Sequence, residues 1–332
     1  MYYLFGDNRS LPAKSNQALA EMNYQSSYHT PVLVSEVLAL LAPSSGGCYL
    51  DCTAGGGGHT LALLEASAPS GRVWAVDRDP EAIEAVRERL AGFTGRLNLA
   101  CANFEGAAGV FPGVRFDGIL LDLGVSSHQI DEPARGFSCD KDGPLDMRMS
   151  GSLGERDAAS LINNASESEL ASLFEKYGES RFHHRIAKAI VRARQSAELE
   201  STSALAAIIR NSVPVKEERK SLVQVFQALR IAVNDELGAL ERGLASLFET
   251  LADRGRLAVI SYHSLEDRLV KRFFRGLEKP CICPNDLPVC ACGRKPLARV
   301  LTARPMSPSL PELNANPRSR SARLRAAERL AA

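Results

Sequence analysis

The residues best suited to chemistry stand at the ends of apolar runs. In Y-L-D-C-T-A-G-G-G-G-H-T, Tyr49 to Thr60, a strand-like stretch ends at Asp51 and passes through four glycines to His59. A second run, G-R-V-W-A-V-D, ends at Asp77, and a third, G-I-L-L-D, at Asp122. Glycines after a strand let the backbone approach a ligand where any Cβ would collide. An acid about twenty residues further on, at the end of the next strand, is placed to accept hydrogen bonds from ribose hydroxyls. Together they suit an adenosine-bearing cofactor. A phosphate loop would need a lysine and then serine or threonine after the glycines, and His59-Thr60 offers neither charge nor order. A dinucleotide fold would need a glycine at the last position of G-x-G-x-x-G, which is missing. S-adenosylmethionine has no pyrophosphate, so it asks only for close approach and a ribose acid.

Other residues fall around this pair. Asp51 is a candidate for the methionine amino group or for capping nearby backbone. Phe104, after the third strand, stands where an adenine could be flanked, or in the core. Asp122 can accept a hydrogen bond from an exocyclic amine and so localise its lone pair, since an unpartnered buried aspartate would be costly. Ser126, Ser127 and Gln129 add neutral hydrogen-bonding groups, although the serines equally suit the start of a turn. No cysteine lies near this strand, so direct transfer to nitrogen is favoured over a covalent route through carbon 5 of a pyrimidine. His263, after L-A-V-I-S-Y, is a candidate for the base pocket, with Ser264 and Asp267 read as a capping box behind it. Arg181, Arg185, Lys188 and Arg192 recur at helical spacing and are candidates for phosphate contact, as are Arg318, Arg320, Arg323, Arg325 and Arg329. Cys281, Cys283, Cys290 and Cys292 offer four thiolates that suit a structural zinc, with reduced, unliganded cysteines as the alternative.

The elements that position these residues alternate from 48 to 124. Apolar strands such as C-Y-L-D-C-T and R-L-N-L-A-C-A-N-F are linked by helices, one opened by Asp79 as N-cap and Pro80 in its first turn. That pattern implies an α/β fold with a parallel sheet covered on both faces. Residues 130 to 150 read as a long ordered loop, and 157 to 230 as helices without a strand. Ser166 and Glu169 form a capping box in this region, and Gly178 a stop. A helix sharing Leu237, Leu240, Leu244, Leu247 and Leu251 on one face leads back to the strand G-R-L-A-V-I-S-Y-H-S. At 332 residues the chain suits two domains or one with a large insertion. The expected organisation is an N-terminal extension at 1–27, a nucleotide-binding fold at 28–130 and 233–332, and an inserted helical substrate-recognition domain at 131–232. A net charge of +1 does not mark a nucleic-acid binder, so such binding must rest on local patches. No run approaches about 20 apolar residues, so no membrane helix is expected. The scattered cysteines do not form a disulfide framework, which points to the cytoplasm.

Several long motifs, in order, resemble one family: Y-H-T-P-V-L-V-S-E-V-L, D-C-T-A-G-G-G-G-H-T, A-V-D-R-D-P-E-A-I, G-I-L-L-D-L-G-V-S-S-H-Q-I-D, Y-G-E-S-R-F-H-H-R-I-A-K-A-I-V and S-Y-H-S-L-E-D-R-L-V-K-R-F-F. The resemblance, over about 28 to 330, is to the MraW family of small-subunit rRNA methyltransferases. It implies a Rossmann-like, class I methyltransferase fold with an inserted helical domain. The activity it implies is transfer of a methyl group from S-adenosylmethionine to N4 of a cytidine in the decoding region of 16S rRNA. By motif, cofactor contacts fall on Gly57, Gly58, His59, Asp77, Phe104, Asp122 and Gln129. The chain reads T-A-G-G-G-G-H where the family usually has T-F-G-R-G-G-H, and V-Q-V-F-Q-A-L-R-I where T-R-T-F-Q-A-L-R-I is more common. It also carries His128 in place of a usual proline. The implied partner is 16S rRNA or the small ribosomal subunit, with monomer and dimer both open. The alternatives are a DNA amino-methyltransferase, which usually carries D/N-P-P-Y/F where this chain has D-L-G-V, and a non-enzymatic ribosome-assembly factor.

Overall fold

A computed structural model describes residues 31–151, 156–283 and 291–331. The expected extension at 1–27, the expected start of the fold near Tyr28, and Cys290 lie outside the described residues. The centre is a seven-stranded sheet in the order β3-β2-β1-β4-β5-β7-β6. Its strands are β1 (Cys48–Asp51), β2 (Arg72–Asp77), β3 (Leu97–Cys101), β4 (Phe116–Asp122), β5 (Leu251–Ser261), β6 (Ala298–Val300) and β7 (Arg323–Arg329). β1 to β5 run parallel, while β7 lies antiparallel between β5 and β6. This is the class I methyltransferase arrangement of a Rossmann-like sheet.

Alternation along each strand builds both faces. Leu120 packs with Tyr49, Ala75 and Ile260 on one side, while Ile119 and Leu121 pack with Leu50, Val76 and Val259 on the other. A run such as G-I-L-L-D is therefore apolar at every central position because both faces are covered. A third apolar cluster takes its described residues from 145 to 229, including Leu170, Phe174, Ile186, Ile209 and Leu229.

Helix starts follow their local signals in two places. Asp79 accepts from Glu81 N at 3.1 Å ahead of Pro80, and Ser166 and Glu169 make a reciprocal capping box. Three expectations need correction. Leu251 opens β5, because the helix Glu236–Thr250 ends one residue earlier. The helix Ser264–Glu278 is capped by His263 and Glu266, not by Ser264 and Asp267. Asp267 is held elsewhere, accepting from Arg325 Nε at 2.6 Å and Nη2 at 3.1 Å. The third concerns the arginine-rich C-terminal stretch, most of whose cations are already paired with this chain's own groups. Arg325 is buried on Asp267, Arg323 joins the same carboxylate, Arg318 grips Asp131 with two bonds, and Arg329 donates to the Phe248 carbonyl. That stretch is largely a sheet strand, not a free phosphate-binding arm.

Candidate active site

Strand order reverses between β1 and β4, and an open parallel sheet leaves a crevice at such a point, outside the carboxyl ends of its strands. A cleft lies there, with Gly55, Asp77, Phe104, Asp122, Gln129 and Tyr262 in its wall.

Asp77 ends β2 facing the cleft. Its carboxylate accepts from Gly55 N and Asp79 N, each at 2.9 Å, so the glycine turn and the acid are one unit. Burial, with smaller contributions from the Asp79 and Asp51 charges, outweighs these bonds and raises its pKa to about 6. Two backbone donors leave lone pairs on a carboxylate, which offers about four acceptor sites. Asp51 is fully buried, accepts from Thr53 N and Thr60 Oγ1 at 3.1 and 2.7 Å, and does not line the cleft. It ties the glycine loop to β1.

Gly57, Gly58 and His59 stand behind the lining. Gly57 has φ +76° at the N-cap of the helix Gly58–Ala66, and a Cβ on Gly58 would come within 2.7 Å of the Pro31 ring. Arg89 donates to the Gly56 carbonyl at 2.5 Å, bringing a cation to a loop that lacks the family's arginine. His59 is buried with Nε2 3.6 Å from Asp122 Oδ2, a charge contact too long for a hydrogen bond. Burial disfavours its protonation, but the Asp122 and Asp51 carboxylates outweigh that and raise its pKa.

Asp122 ends β4 on the opposite wall. Its Oδ1 accepts from Tyr262 Oη at 2.9 Å, and its backbone N–H donates to Thr53 Oγ1 at 2.7 Å. Burial, then the Asp122 charge, pushes the Tyr262 phenol well above its usual pKa, so it stays a donor. Ser126 and Gln129 form a reciprocal capping box over the helix Ser127–Asp131, an S-x-x-Q counterpart of the S-x-x-E at Ser166. Gln129 Nε2 donates to Asp79 Oδ2 at 2.9 Å, and Arg135 reaches the same oxygen at 3.0 Å. Ser127 and Phe104 also line the cleft, and the Phe104 ring packs where a Cβ on Gly243 would meet it at 2.7 Å. His263 does not line it. Its Nδ1 accepts from Glu266 N at 3.4 Å and its Nε2 lies 3.2 Å from Glu266 Oε1. Burial would raise the Glu266 carboxyl, but His263 and then Arg230 hold it below the ordinary value.

The far wall comes from the loop before the helical cluster and from the helix Glu218–Asn234. Arg230 grips Glu236 with two bonds of 2.8 Å, and Asn234 donates to the Met147 carbonyl and accepts from Met149 N. Arg135 donates to the Met149 carbonyl at 2.7 Å, so the loop is strapped across the cleft from two sides. Sequence reasoning missed Tyr262, Glu266, Arg230 and Asn234. The signals were present: S-Y-H-S-L-E ends a strand, and Arg230 and Asn234 stand four apart on one helix face.

The basic residues of the helical cluster lie outside the cleft. Arg185, Lys188 and Arg192 are exposed along the helix His183–Arg194, whereas Arg181 precedes it and pairs with Glu217 at 2.5 Å. Gln224, where the family more often has arginine, donates to the Glu179 carbonyl at 3.0 Å. Among the described residues no helix is long and apolar enough to cross a membrane.

Comparison with known proteins adds a further finding. The sequence pattern of the MraW methylase family matches residues 26–330. A ribosomal RNA small subunit methyltransferase H of Symbiobacterium thermophilum is 49% identical over 311 residues, covering 92% of this chain and 98% of that protein. Proteins of the same name from Thermomicrobium roseum and Pelobacter propionicus are 51% and 50% identical, covering 92% and 91% of this chain and 95% and 98% of their own.

Proposed function

The chain belongs to the MraW methylase family, and from that premise we propose that it methylates N4 of a cytidine in the decoding region of 16S rRNA, in the cytoplasm. It is an rRNA methyltransferase dependent on S-adenosylmethionine, as its relatives' names and its class I sheet agree. The observation that carries the finer reading is Asp122, a carboxylate at the end of β4 held by Tyr262 in the cleft wall.

The residues present fit the cofactor. Asp77 has acceptor capacity directed into the cleft for ribose hydroxyls, and Phe104 offers a ring for adenine. The turn through Gly57, Gly58 and His59 supports that wall from behind, and Gln129 steadies Asp79 beside it. When bound, S-adenosylmethionine supplies a methyl group on a positively charged sulfur. The work of this chain is to prepare the amine. A cytosine N4 lone pair is delocalised into the ring, and a carboxylate accepting one N–H bond draws it back onto nitrogen. Asp122 is placed to accept that bond and to receive the proton that the amine loses on methylation. The Ser126-Ser127 segment borders the same space, and His263 acts on it through Glu266. The target base must leave its stack to enter. The segment 131–232 would hold the flanking RNA, with Arg181, Arg185, Lys188 and Arg192 toward phosphates.

The test supplies labelled S-adenosylmethionine with small subunits, naked 16S rRNA and DNA, and identifies the labelled nucleoside. N4-methylcytidine in rRNA is expected, and label only in DNA, or at carbon 5, overturns the reading. Asp122→Ala is expected to keep the fold and lose most transfer, and near-normal turnover would remove Asp122 from the mechanism.

A structural zinc is proposed apart from this site. The sulfurs of Cys281, Cys283 and Cys292 lie within 4.8 Å of one another, with Cys281 and Cys292 3.8 Å apart. Tetrahedral zinc with bonds of about 2.3 Å needs sulfur separations of about 3.8 Å. Ala291 N donates to Cys283 Sγ at 3.3 Å. One zinc per chain by metal analysis, lost in Cys281→Ser, is expected; a metal-free protein of full stability rejects it.

A further inference from the structure

We propose that the exposed face of the helix Ser264–Glu278 is a second track for the RNA backbone, running away from the cleft through Lys271, Arg272 and Arg275. The inference rests on the chain acting on RNA, and adds where that RNA lies.

The helix is divided sharply. Glu266, Asp267, Val270 and Phe274 are buried, while Arg268, Lys271, Arg272 and Arg275 are all exposed at i, i+3, i+4 and i+7. A solvated charged face is the ordinary explanation of such a pattern, and three observations weigh against it here. First, these cations are not balanced. Arg268 pairs with Glu179 at 3.3 Å, but among the described residues no carboxylate pairs with Lys271, Arg272 or Arg275. Most arginines of the C-terminal stretch, by contrast, are matched inside the fold. Second, the macrodipole favours cations only in a helix's last turn, which accounts for Arg275 but not for Lys271 and Arg272 in the middle.

Third, the face begins at the reaction site. Glu266 lines the cleft, Tyr262 holds Asp122, and His263 caps the helix that carries the cations. With a rise of about 1.5 Å per residue, Arg268 to Arg275 covers roughly 10 Å leading out from the cleft. Glu179, which accepts from both Ser264 and Arg268, stands four residues before the helix His183–Arg194. The two basic helices therefore start from one junction, two residues from Glu266 of the cleft wall. An RNA strand with one nucleotide in the cleft can lie along one helix on its 5′ side and along the other on its 3′ side, or the reverse.

The experiment measures binding of naked 16S rRNA and of small subunits against salt concentration, for the full chain and for the triple variant Lys271→Gln, Arg272→Gln, Arg275→Gln. Three lost phosphate contacts, at about 0.7 each for a single strand, should flatten the slope of log affinity against log salt by about 2. S-adenosylmethionine affinity and the thermal midpoint should not change. The variant Arg185→Gln, Lys188→Gln, Arg192→Gln, made in parallel, should lower the slope separately. An unchanged slope in the first variant overturns the track, as does a loss confined to assembled subunits with naked rRNA unaffected, which would mark an acidic protein surface instead. If the unmodified chain methylates no RNA, the functional reading fails, and the slope still reports on the surface.

Discussion

Tyr262→Phe isolates what holds Asp122. The substitution removes one hydroxyl and leaves the ring against Gly124, whose Cβ position lies 3.5 Å from it. The lost interaction is a 2.9 Å bond to a carboxylate from a phenol kept protonated by burial. Hydrogen bonds to charged groups contribute about 1.5–3 kcal/mol, and each 1.36 kcal/mol is tenfold in rate, so kcat should fall roughly 10- to 150-fold. Asp77 and Phe104 are untouched, so the affinity for S-adenosylmethionine should hold within about twofold. Single-turnover methylation at saturating RNA, followed across pH, is the assay. The tyrosine favours the charged carboxylate, so its loss should also move the acid limb of the pH–rate profile upward. A structural role would not move that limb. An unchanged or increased kcat, or a fall matched by equal loss of cofactor affinity with no shift of the limb, refutes the reasoning.

Asp77 gives a pH prediction. Its pKa is raised from 3.8 to about 6, so the charged form is the costly one. Its favourable contribution to stability is present below about pH 4 and is lost as pH rises through about 6. Binding runs the other way, because ribose hydroxyls need the carboxylate. Calorimetry should show S-adenosylmethionine affinity falling as pH drops through about 6, and Asp77→Asn should bind weakly with no such step. Arg325→Ala should lower unfolding stability by about 2 kcal/mol in urea titration, because it leaves Asp267 with only the longer, exposed Arg323 contact, and a loss below about 0.5 kcal/mol would contradict the pairing. Gly57→Ala should destabilise by about 1 kcal/mol, since its φ of +76° is left-handed, and a neutral effect would show that the turn is free to relax.

Strand-end acids were the legible part of the cleft, because a parallel strand written as an apolar run ends abruptly at the sheet's carboxyl edge, whereas Gly57, Gly58 and His59 stand behind the wall. Asp77 and Asp122 both line the cleft. What could not be read was which side chains meet them from distant segments. Tyr262 reaches Asp122 across 140 positions, and Asn234 fastens the loop before the helical cluster across 85. Pattern within a segment carries no information about such pairs. The C-terminal stretch misled for a related reason: R-L-R-A-A-E-R looks like a basic tail, and only its ladders with β5 and β6, far away in the sequence, make it a strand, with Arg325 paired to Asp267. His263 competed with Ser264 for one cap, and a histidine is an unusual winner because its ring must turn back to its own helix.

The cleft wall carries five acids, Asp77, Asp79, Asp122, Glu236 and Glu266, against three cations, Arg78, Arg230 and Arg318. Arg230 is committed to Glu236, Arg318 to Asp131 and Asp79 to Arg135, which leaves Asp77, Asp122 and Glu266 against Arg78. On the proposed reading, the wall would thus select between fresh and spent ligand. A sulfonium enters with a positive charge that this field favours, and the same molecule without its methyl is neutral and gains nothing from it. The affinity ratio of S-adenosylmethionine to S-adenosylhomocysteine should therefore narrow below about pH 6, as Asp77 takes up a proton. On the proposed reading, reaction and release would draw on one electrostatic gradient, and the acids that bind the reactant would limit product inhibition.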